Sequence, residues 1–291
     1  MLFWPAQAPP PSPAPVAQVA SNDAMPPQMD ALLKAKDWAR LADWFEAQSP
    51  ALRGRHYETW LQALHRSQRW GRLAEVCEAL QPQLEAKSGP RLGTHRFYRA
   101  RALSGLGRHA EAAAAHAENG RLGDGDGLAN ACTEARQGME WAALLAYADE
   151  LLLRRPELGS GLAWKGEALA RLGRFPEAEP VLRSALAKDP KIAYAWNNLA
   201  RCLIEKKAWP EACEVLNQAL ALEPNQLEAL FNRGRARFEL KQYAGSRDDF
   251  KAALALEPDN LVLAENLRQA ERYAALPAPR PAPVKKGAKA K

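Results

Sequence analysis

The sequence lacks a long hydrophobic run. No stretch of its 291 residues approaches the roughly 18 apolar residues that a membrane-spanning helix needs. The apolar cluster Leu2-Phe3-Trp4 ends at Pro5 and has no basic segment before it. It is therefore too short for the apolar core of a secretory signal peptide. We expect a cytoplasmic protein, or a periplasmic one if an export signal precedes this sequence.

Cysteine and histidine are also scarce. The four cysteines, Cys77, Cys132, Cys202 and Cys213, form no CxxC pair, and we interpret them as small core residues. The five histidines show no metal-ligand spacing. A Gly-rich phosphate loop, a His-Glu metal motif and a nucleophile elbow are all missing from the sequence. The sequence therefore predicts no enzyme, no bound metal and no cofactor.

Residues typical of β-strands are few, whereas Ala, Leu, Arg and Glu dominate, which favours helices throughout. The formal net charge is +6, and five basic residues of this excess follow Leu276. Without them the formal charge is +1. The part of the chain that can fold is therefore nearly neutral, and nucleic acid is not an expected partner.

Residues 159–260 read as three copies of a 34-residue unit. Each copy repeats one aromatic residue, two small residues and a closing proline. The aromatic column is Phe175, Trp209 and Tyr243; the small columns are Ala178, Ala212 and Ser246, and Ala185, Ala219 and Ala253; the prolines are Pro190, Pro224 and Pro258. Self-similarity at such a period is the signature of a repeat protein.

Each copy is predicted to hold two helices. Residues 194–206 contain neither proline nor glycine, and their apolar residues recur at helical spacing. A short break follows at Lys207. Pro210 suits the first turn of the next helix, and Pro224 ends it, because the residue before proline avoids the helical conformation.

This unit resembles the tetratricopeptide repeat (TPR) family. The matching residues are Leu162, Gly166, Ala178, Leu182, Ala185 and Pro190, then Trp196, Leu199, Ala200, Trp209, Ala212, Leu216, Ala219 and Pro224, then Leu230, Gly234, Tyr243, Ser246, Phe250, Ala253 and Pro258. The resemblance implies an all-α, right-handed superhelical solenoid of antiparallel helix pairs, with a concave groove lined by the first helix of each pair. It implies protein binding and does not imply an enzyme.

The aromatic column continues toward the N-terminus at Trp38, Trp70, His109 and Trp141, with irregular spacing. We therefore expect further, degenerate pairs there, and seven pairs in all. The predicted segments are a disordered Pro/Ala-rich stretch over 1–27, degenerate TPR-like pairs over 28–124, the TPR solenoid over 125–275, and a disordered Pro/Lys-rich tail over 276–291. Within the solenoid the best repeats are 159–192, 193–226 and 227–260, and a capping helix spans 261–275.

The resemblance also implies which residues face the groove. The expected peptide-binding residues are Trp164, Tyr194, Asn198, Arg201, Phe231, Asn232, Arg235 and Asn266. We expect open asparagine side chains there, because an amide can both donate to and accept from a peptide backbone. The two arginines either bind acidic side chains of a partner or pair with Glu205 and Glu239, four residues on.

The sequence thus predicts a non-enzymatic protein–protein interaction scaffold that binds an extended, possibly acidic, peptide segment of a partner in the groove. The alternative is an adaptor that associates with a membrane or nucleic acid through its basic C-terminal tail. Four lysines in the last seven residues are a modest charge for either role.

Overall fold

The structure is a computed structural model, and it describes residues 25–85 and 90–276. Sixteen α-helices and no strand occupy these residues. In chain order they are α1 (Pro27–Ala35), α2 (Trp38–Glu46), α3 (Pro50–Arg55), α4 (Tyr57–Arg66), α5 (Trp70–Glu85), α6 (Pro90–Gly105), α7 (His109–Arg121), α8 (Gly127–Gln137), α9 (Trp141–Arg154), α10 (Gly159–Arg171), α11 (Phe175–Lys188), α12 (Ala193–Glu205), α13 (Trp209–Leu222), α14 (Leu227–Glu239), α15 (Tyr243–Leu256) and α16 (Leu261–Ala274).

These helices confirm the predicted all-α solenoid of helix pairs. The pairs are α1 with α2, the interrupted helix α3–α4 with α5, and then α6 with α7 and so on to α14 with α15, followed by the unpaired α16. No helix of the described residues is both long and apolar enough to cross a membrane. The disorder predicted for the two ends lies, apart from residues 25–27 and 276, outside the described residues.

The chain forms two compact units, unit 1 (Met1–Pro156) and unit 2 (Glu157–Lys291). Unit 1 contains α1–α9 and unit 2 contains α10–α16. The two units are defined only by how densely their residues contact one another, which does not test where the repeats begin and end. The domain boundaries predicted from the sequence therefore stay predictions.

All seven pairs share the same turn between their two helices. The turn residue has a positive φ and ends the first helix, and the second helix starts two residues later. The turn residues are Lys36, Gln68, Gly107, Met139, Gly173, Lys207 and Lys241. The second helices begin at Trp38, Trp70, His109, Trp141, Phe175, Trp209 and Tyr243. The aromatic column of the sequence is therefore the first residue of every second helix.

Two backbone hydrogen bonds close each turn. After α12, the N–H of Lys207 donates to the carbonyl of Ile204 at 2.9 Å, and the N–H of Ala208 donates to the carbonyl of Leu203 at 2.8 Å. The same two bonds recur at the other six turns. This is the Schellman motif, which satisfies the last carbonyls of a helix by placing one residue in the left-handed conformation.

The aromatic column packs between successive pairs. In unit 1, Trp70 lies so close to Gly105 of the next first helix that a Cβ atom there would overlap its ring. In unit 2, the ring of Tyr243 lies 5.1 Å from the ring of Tyr273 on α16. At His109, where the aromatic is replaced, Nδ1 instead forms a 2.9 Å hydrogen bond with the buried carboxylate of Glu134 on α8. The column thus joins each pair to the next.

Small residues let the two helices of a pair approach. A Cβ atom at Gly234 would lie 2.8 Å from the ring of Phe250, so only glycine leaves room for this phenylalanine. Ala212, in the small column, is fully buried. Ser246 takes the same position in the third copy, and its buried hydroxyl donates to the carbonyl of Gly234 at 2.8 Å. The hydrogen bond offsets the cost of burying this hydroxyl.

The first helices lie on the inner side of unit 2. Helix α12 contacts both α10 and α14. The second helices α11, α13 and α15 contact one another less than the first helices do. A stack that is closer on one side curves toward it. The inner, concave face of unit 2 is therefore formed by α10, α12 and α14, and α16 starts 34 residues after α14, in the place of the next first helix.

Gly107→Ala should lower the free energy of unfolding by about 1 kcal/mol, because φ is +73° there and alanine disfavours that conformation. Gly71→Ala is the matched control in the same unit. A Cβ atom meets nothing within 4 Å at either position, but Gly71 lies inside α5 with ordinary helical geometry. The control should therefore gain up to about 0.5 kcal/mol. Urea denaturation measures both; equal changes would contradict the turn geometry.

Candidate functional site

The predicted groove residues all lie on the inner helices of unit 2. Trp164 is on α10, Tyr194, Asn198 and Arg201 are on α12, Phe231, Asn232 and Arg235 are on α14, and Asn266 is on α16. Trp164, Asn198, Asn232 and Asn266 are spaced by 34 residues, so each occupies the same place on its helix. The predicted residues thus belong to one face. Their contact with a ligand stays a prediction.

A polar bridge crosses three of these helices. On α14, the Nδ2 of Asn232 donates to Oδ1 of Asn197 on α12 at 3.0 Å. The Nδ2 of Asn197 donates to Oε2 of Glu228 on α14 at 2.9 Å, and Arg171 of α10 donates to both oxygens of the same carboxylate at 2.9 and 3.1 Å. Asn197 and Asn232 are only 2% and 7% exposed. The amides therefore fix the inner helices against one another.

Asn198 has a different role, since its side chain forms hydrogen bonds within its own helix. Its Nδ2 donates to the carbonyl of Tyr194 at 2.9 Å, and its Oδ1 accepts from Nη1 of Arg201 at 3.2 Å. Its side chain is buried, with 1% of the residue exposed. Asn198 therefore orients the guanidinium of Arg201.

The sequence predicted open amides at Asn198 and Asn232, whereas the structure buries both. For Asn232 the physical reason is that an amide between two close helices satisfies the neighbouring polar group on the other helix. The amide of Asn198 is satisfied within its own helix. In both cases a buried polar group without such a bond would be costly. Asn266, on the last helix, is partly exposed and donates to the carbonyl of Val262 at 2.7 Å.

Arg201 is a half-buried cation without a carboxylate partner among the described residues. Its pKa is lowered, first by burial and then by the positive charge of Arg171, while the carboxylate of Glu228 acts in the opposite direction. A guanidinium stays protonated even so. The inner face thus holds a fixed positive charge that, within the described part of the chain, is hydrogen-bonded to the neutral amide of Asn198.

Arg235 is exposed, and its guanidinium carbon lies 5.7 Å from the centre of the Phe231 ring. Within the described residues, neither Arg201 nor Arg235 forms the ion pair with the glutamate four residues on that the sequence allowed. Both charges remain available on the inner face. The rings of Trp164, Tyr194 and Phe231 are partly exposed beside them.

Sequence reasoning missed the bridge of Arg171, Asn197 and Glu228. Asn197 occupies the place that Ala163 and Phe231 hold in the other copies, and Glu228 the place of Tyr194, so neither belongs to a repeated column. A polar residue that breaks an otherwise apolar or aromatic column was the available signal. The described residues contain no group of His, Cys, Asp and Glu side chains arranged for a metal ion.

Known protein families match the part of the chain that contains these inner helices. Two family models described as tetratricopeptide repeat match residues 164–226 and 199–274. They confirm the TPR resemblance of the C-terminal part of the chain. No curated protein sequence matches this chain.

Several solved structures are similar in fold. The MamA RS-1 ArsTM double mutant has a TM-score of 0.50 and 19% identity, and the match covers 58% of this chain and 96% of that chain. YrrB, described as a TPR protein with an unusual peptide-binding site, has a TM-score of 0.47 and 18% identity over 60% of this chain and 91% of its own. The first TPR of Spaghetti (RPAP3), solved with the HSP90 peptide SRMEEVD, has a TM-score of 0.39 and 27% identity. The match covers 40% of this chain and 94% of that chain.

Asn232→Ala should lower the free energy of unfolding by about 1–3 kcal/mol, because it leaves the buried Oδ1 of Asn197 without its donor. Asn266→Ala is the control: it removes a local bond on a partly exposed helix face, and alanine is the better helix former. Its effect should be close to zero. Urea denaturation distinguishes the two, and an Asn232→Ala protein as stable as the control would contradict a structural role for the bridge.

Proposed function

Because residues 164–274 of this chain are tetratricopeptide repeats, we propose that unit 2 is a protein-interaction module that binds an extended, acidic segment of a partner along its inner helices. The observation that carries this proposal is Arg201, a half-buried cation of the inner face with no carboxylate partner among the described residues.

The energetic argument starts from the cost of a buried charge. Removing a guanidinium from water is unfavourable unless a counter-charge and hydrogen bonds replace the water. Asn198 supplies one hydrogen bond to Arg201 but no charge. A carboxylate of a bound segment would supply both, in the two-pronged geometry that guanidinium and carboxylate share.

The rest of the inner face suits an extended chain. Arg235 lies one repeat further on, at the same helix position as Arg201, so a second acidic side chain can be bound along the same direction. The ring of Phe231 lies beneath Arg235, and Trp164 is partly exposed on α10. Aromatic rings offer apolar contact area to a partner at low entropic cost.

The proposed role is that of a scaffold without catalysis. The polar groups of the inner face, the amides of Asn197, Asn198 and Asn232 above all, are engaged in bonds that hold helices and the Arg201 side chain. We propose a cytoplasmic location. The four cysteines are free thiols, and burial raises the pKa of Cys77 and Cys132 to about 12, as suits inert thiols of a reducing compartment.

Arg201→Gln should weaken binding of an acidic segment about tenfold to a hundredfold, since hydrogen bonds to charged groups contribute roughly 1.5–3 kcal/mol each. The measurement is fluorescence anisotropy with the tightest binder from an array of peptides graded in Asp and Glu content. Arg247→Gln is the control, because Arg247 lies on the second helix α15 and pairs with Asp248. If both variants bind as the native chain does, the groove is not the site.

Truncation after Leu276 should leave this binding unchanged at physiological salt, because charges in water are screened beyond about 8 Å. The tail lies outside the described residues. The same anisotropy assay checks the prediction. Loss of all binding on truncation would favour the alternative, an adaptor that associates with a membrane or nucleic acid through the tail.

A further inference from the structure

Unit 1 has inner helices of its own, and two of their arginines have no acidic partner among the described residues. Helices α4 and α6 are the first helices of successive pairs and contact each other directly. Arg66 is the last residue of α4, and Arg101 lies on α6; both side chains are exposed. By alignment of the turns after α6 and α12, Arg101 takes the helix position that Arg201 holds in unit 2.

Other arginines of this unit are neutralised. Arg69 pairs with Asp43 at 2.6 Å, and Arg72 pairs with Glu46 at 2.9 Å. Within the described residues, neither Arg66 nor Arg101 forms an ion pair, and the recorded hydrogen bond of the Arg101 side chain goes to a histidine.

That histidine is His65, which contacts Arg101 and directly precedes Arg66 on α4. Nε of Arg101 donates to Nε2 of His65 at 3.4 Å, so this nitrogen is unprotonated in the structure. The His65 ring packs edge-to-face against Trp70 of α5 at 5.3 Å and against Tyr98 of α6 at 5.6 Å. The two aromatic rings hold the imidazole in place beside the guanidinium groups.

We infer that Arg66, Arg101 and His65 form a second binding site of this chain, which takes a carboxylate of an acidic protein segment and binds it more tightly as the pH falls. A carboxylate suits the two guanidinium groups geometrically. The site is independent of the groove proposed in unit 2. A single carboxylate is favoured over a polyanion such as nucleic acid because Glu58 of α4 brings a negative charge close to Tyr98.

The dependence on pH follows from the charges that face His65. These are Arg66 on its own helix and Arg101 on α6; Trp70 of α5 is neutral, and Tyr98 stays protonated near neutral pH. Burial, then Arg101, then Arg66 lower the pKa of His65 in the free protein. A carboxylate bound between the arginines reverses their effect, so the bound state takes up a proton more readily. Binding must then strengthen as the pH falls.

The test uses the full chain with Arg201→Gln and Arg235→Gln, so that unit 2 does not bind the probe. The probe is a fluorescein-labelled oligo-aspartate peptide, whose side chains remain ionised above about pH 5. Affinity at constant salt should be about tenfold higher at pH 5.5 than at pH 7.5. The pKa of His65 should rise when the probe binds, and NMR of its ring protons measures that rise directly.

Three further variants are compared in this background. Arg101→Gln should lose at least tenfold in affinity at pH 5.5. His65→Gln should still bind but without the pH dependence, since glutamine accepts a hydrogen bond and does not titrate. Arg72→Gln is the control, because Arg72 has acidic partners on α2 and α5, and it should bind normally.

Two kinds of result would overturn the inference. One is an unchanged pH dependence in His65→Gln, or an unchanged affinity in Arg101→Gln, with circular dichroism showing that both variants are folded. The other is tighter binding of a thymidine oligonucleotide than of oligo-aspartate, which would make nucleic acid the occupant. Because every variant also carries Arg201→Gln and Arg235→Gln, neither result depends on the function proposed for unit 2.

Discussion

Every helix pair of this chain depends on one backbone constraint, the left-handed residue that ends its first helix. At five of the seven turns that residue is not glycine, although a left-handed conformation costs an L-residue roughly 1–2 kcal/mol. The two hydrogen bonds of the turn and the contacts of the following aromatic residue outweigh this cost. The turn fixes where the second helix starts, and therefore where rings such as Trp70 and Tyr243 meet the next pair. The stacking of pairs, and with it the inner face, follows from that placement.

On the inner face of unit 2, the close stacking of the first helices determines which polar side chains bond to a neighbouring helix and which can contact a ligand. Asn197 and Asn232 lie where successive first helices touch, so their amides bond to each other and to Glu228. Arg201 lies at the edge of this contact, where Asn198 orients it and no acidic side chain of the described residues neutralises it. We therefore propose the arginines and rings as the binding groups of this face, and the amides hold together the helices that carry them.

Much of the fold could be predicted from the sequence because the repeated residues mark the helix positions. The columns at Phe175, Trp209 and Tyr243 recur at a fixed interval, and the structure places each at the start of a second helix. Even the irregular copies could be aligned through Trp38 and Trp70. The candidate site was less accessible, because a column identifies a helix face but not the distance to the neighbouring helix. The burial of Asn232, and the bridge through Asn197 and Glu228, depend on distances of about a hydrogen bond between residues more than thirty positions apart. No periodic pattern encodes such distances.

The central claim is that the inner helices of unit 2 present the binding surface. Hydrogen–deuterium exchange of the full chain, with and without a saturating acidic peptide, tests it most directly. The account predicts added protection in α10, α12 and α14, and little change in α11, α13 and α15, because only the first helices of each pair line the inner face. Protection concentrated in the second helices, or no protection anywhere in unit 2, would contradict it.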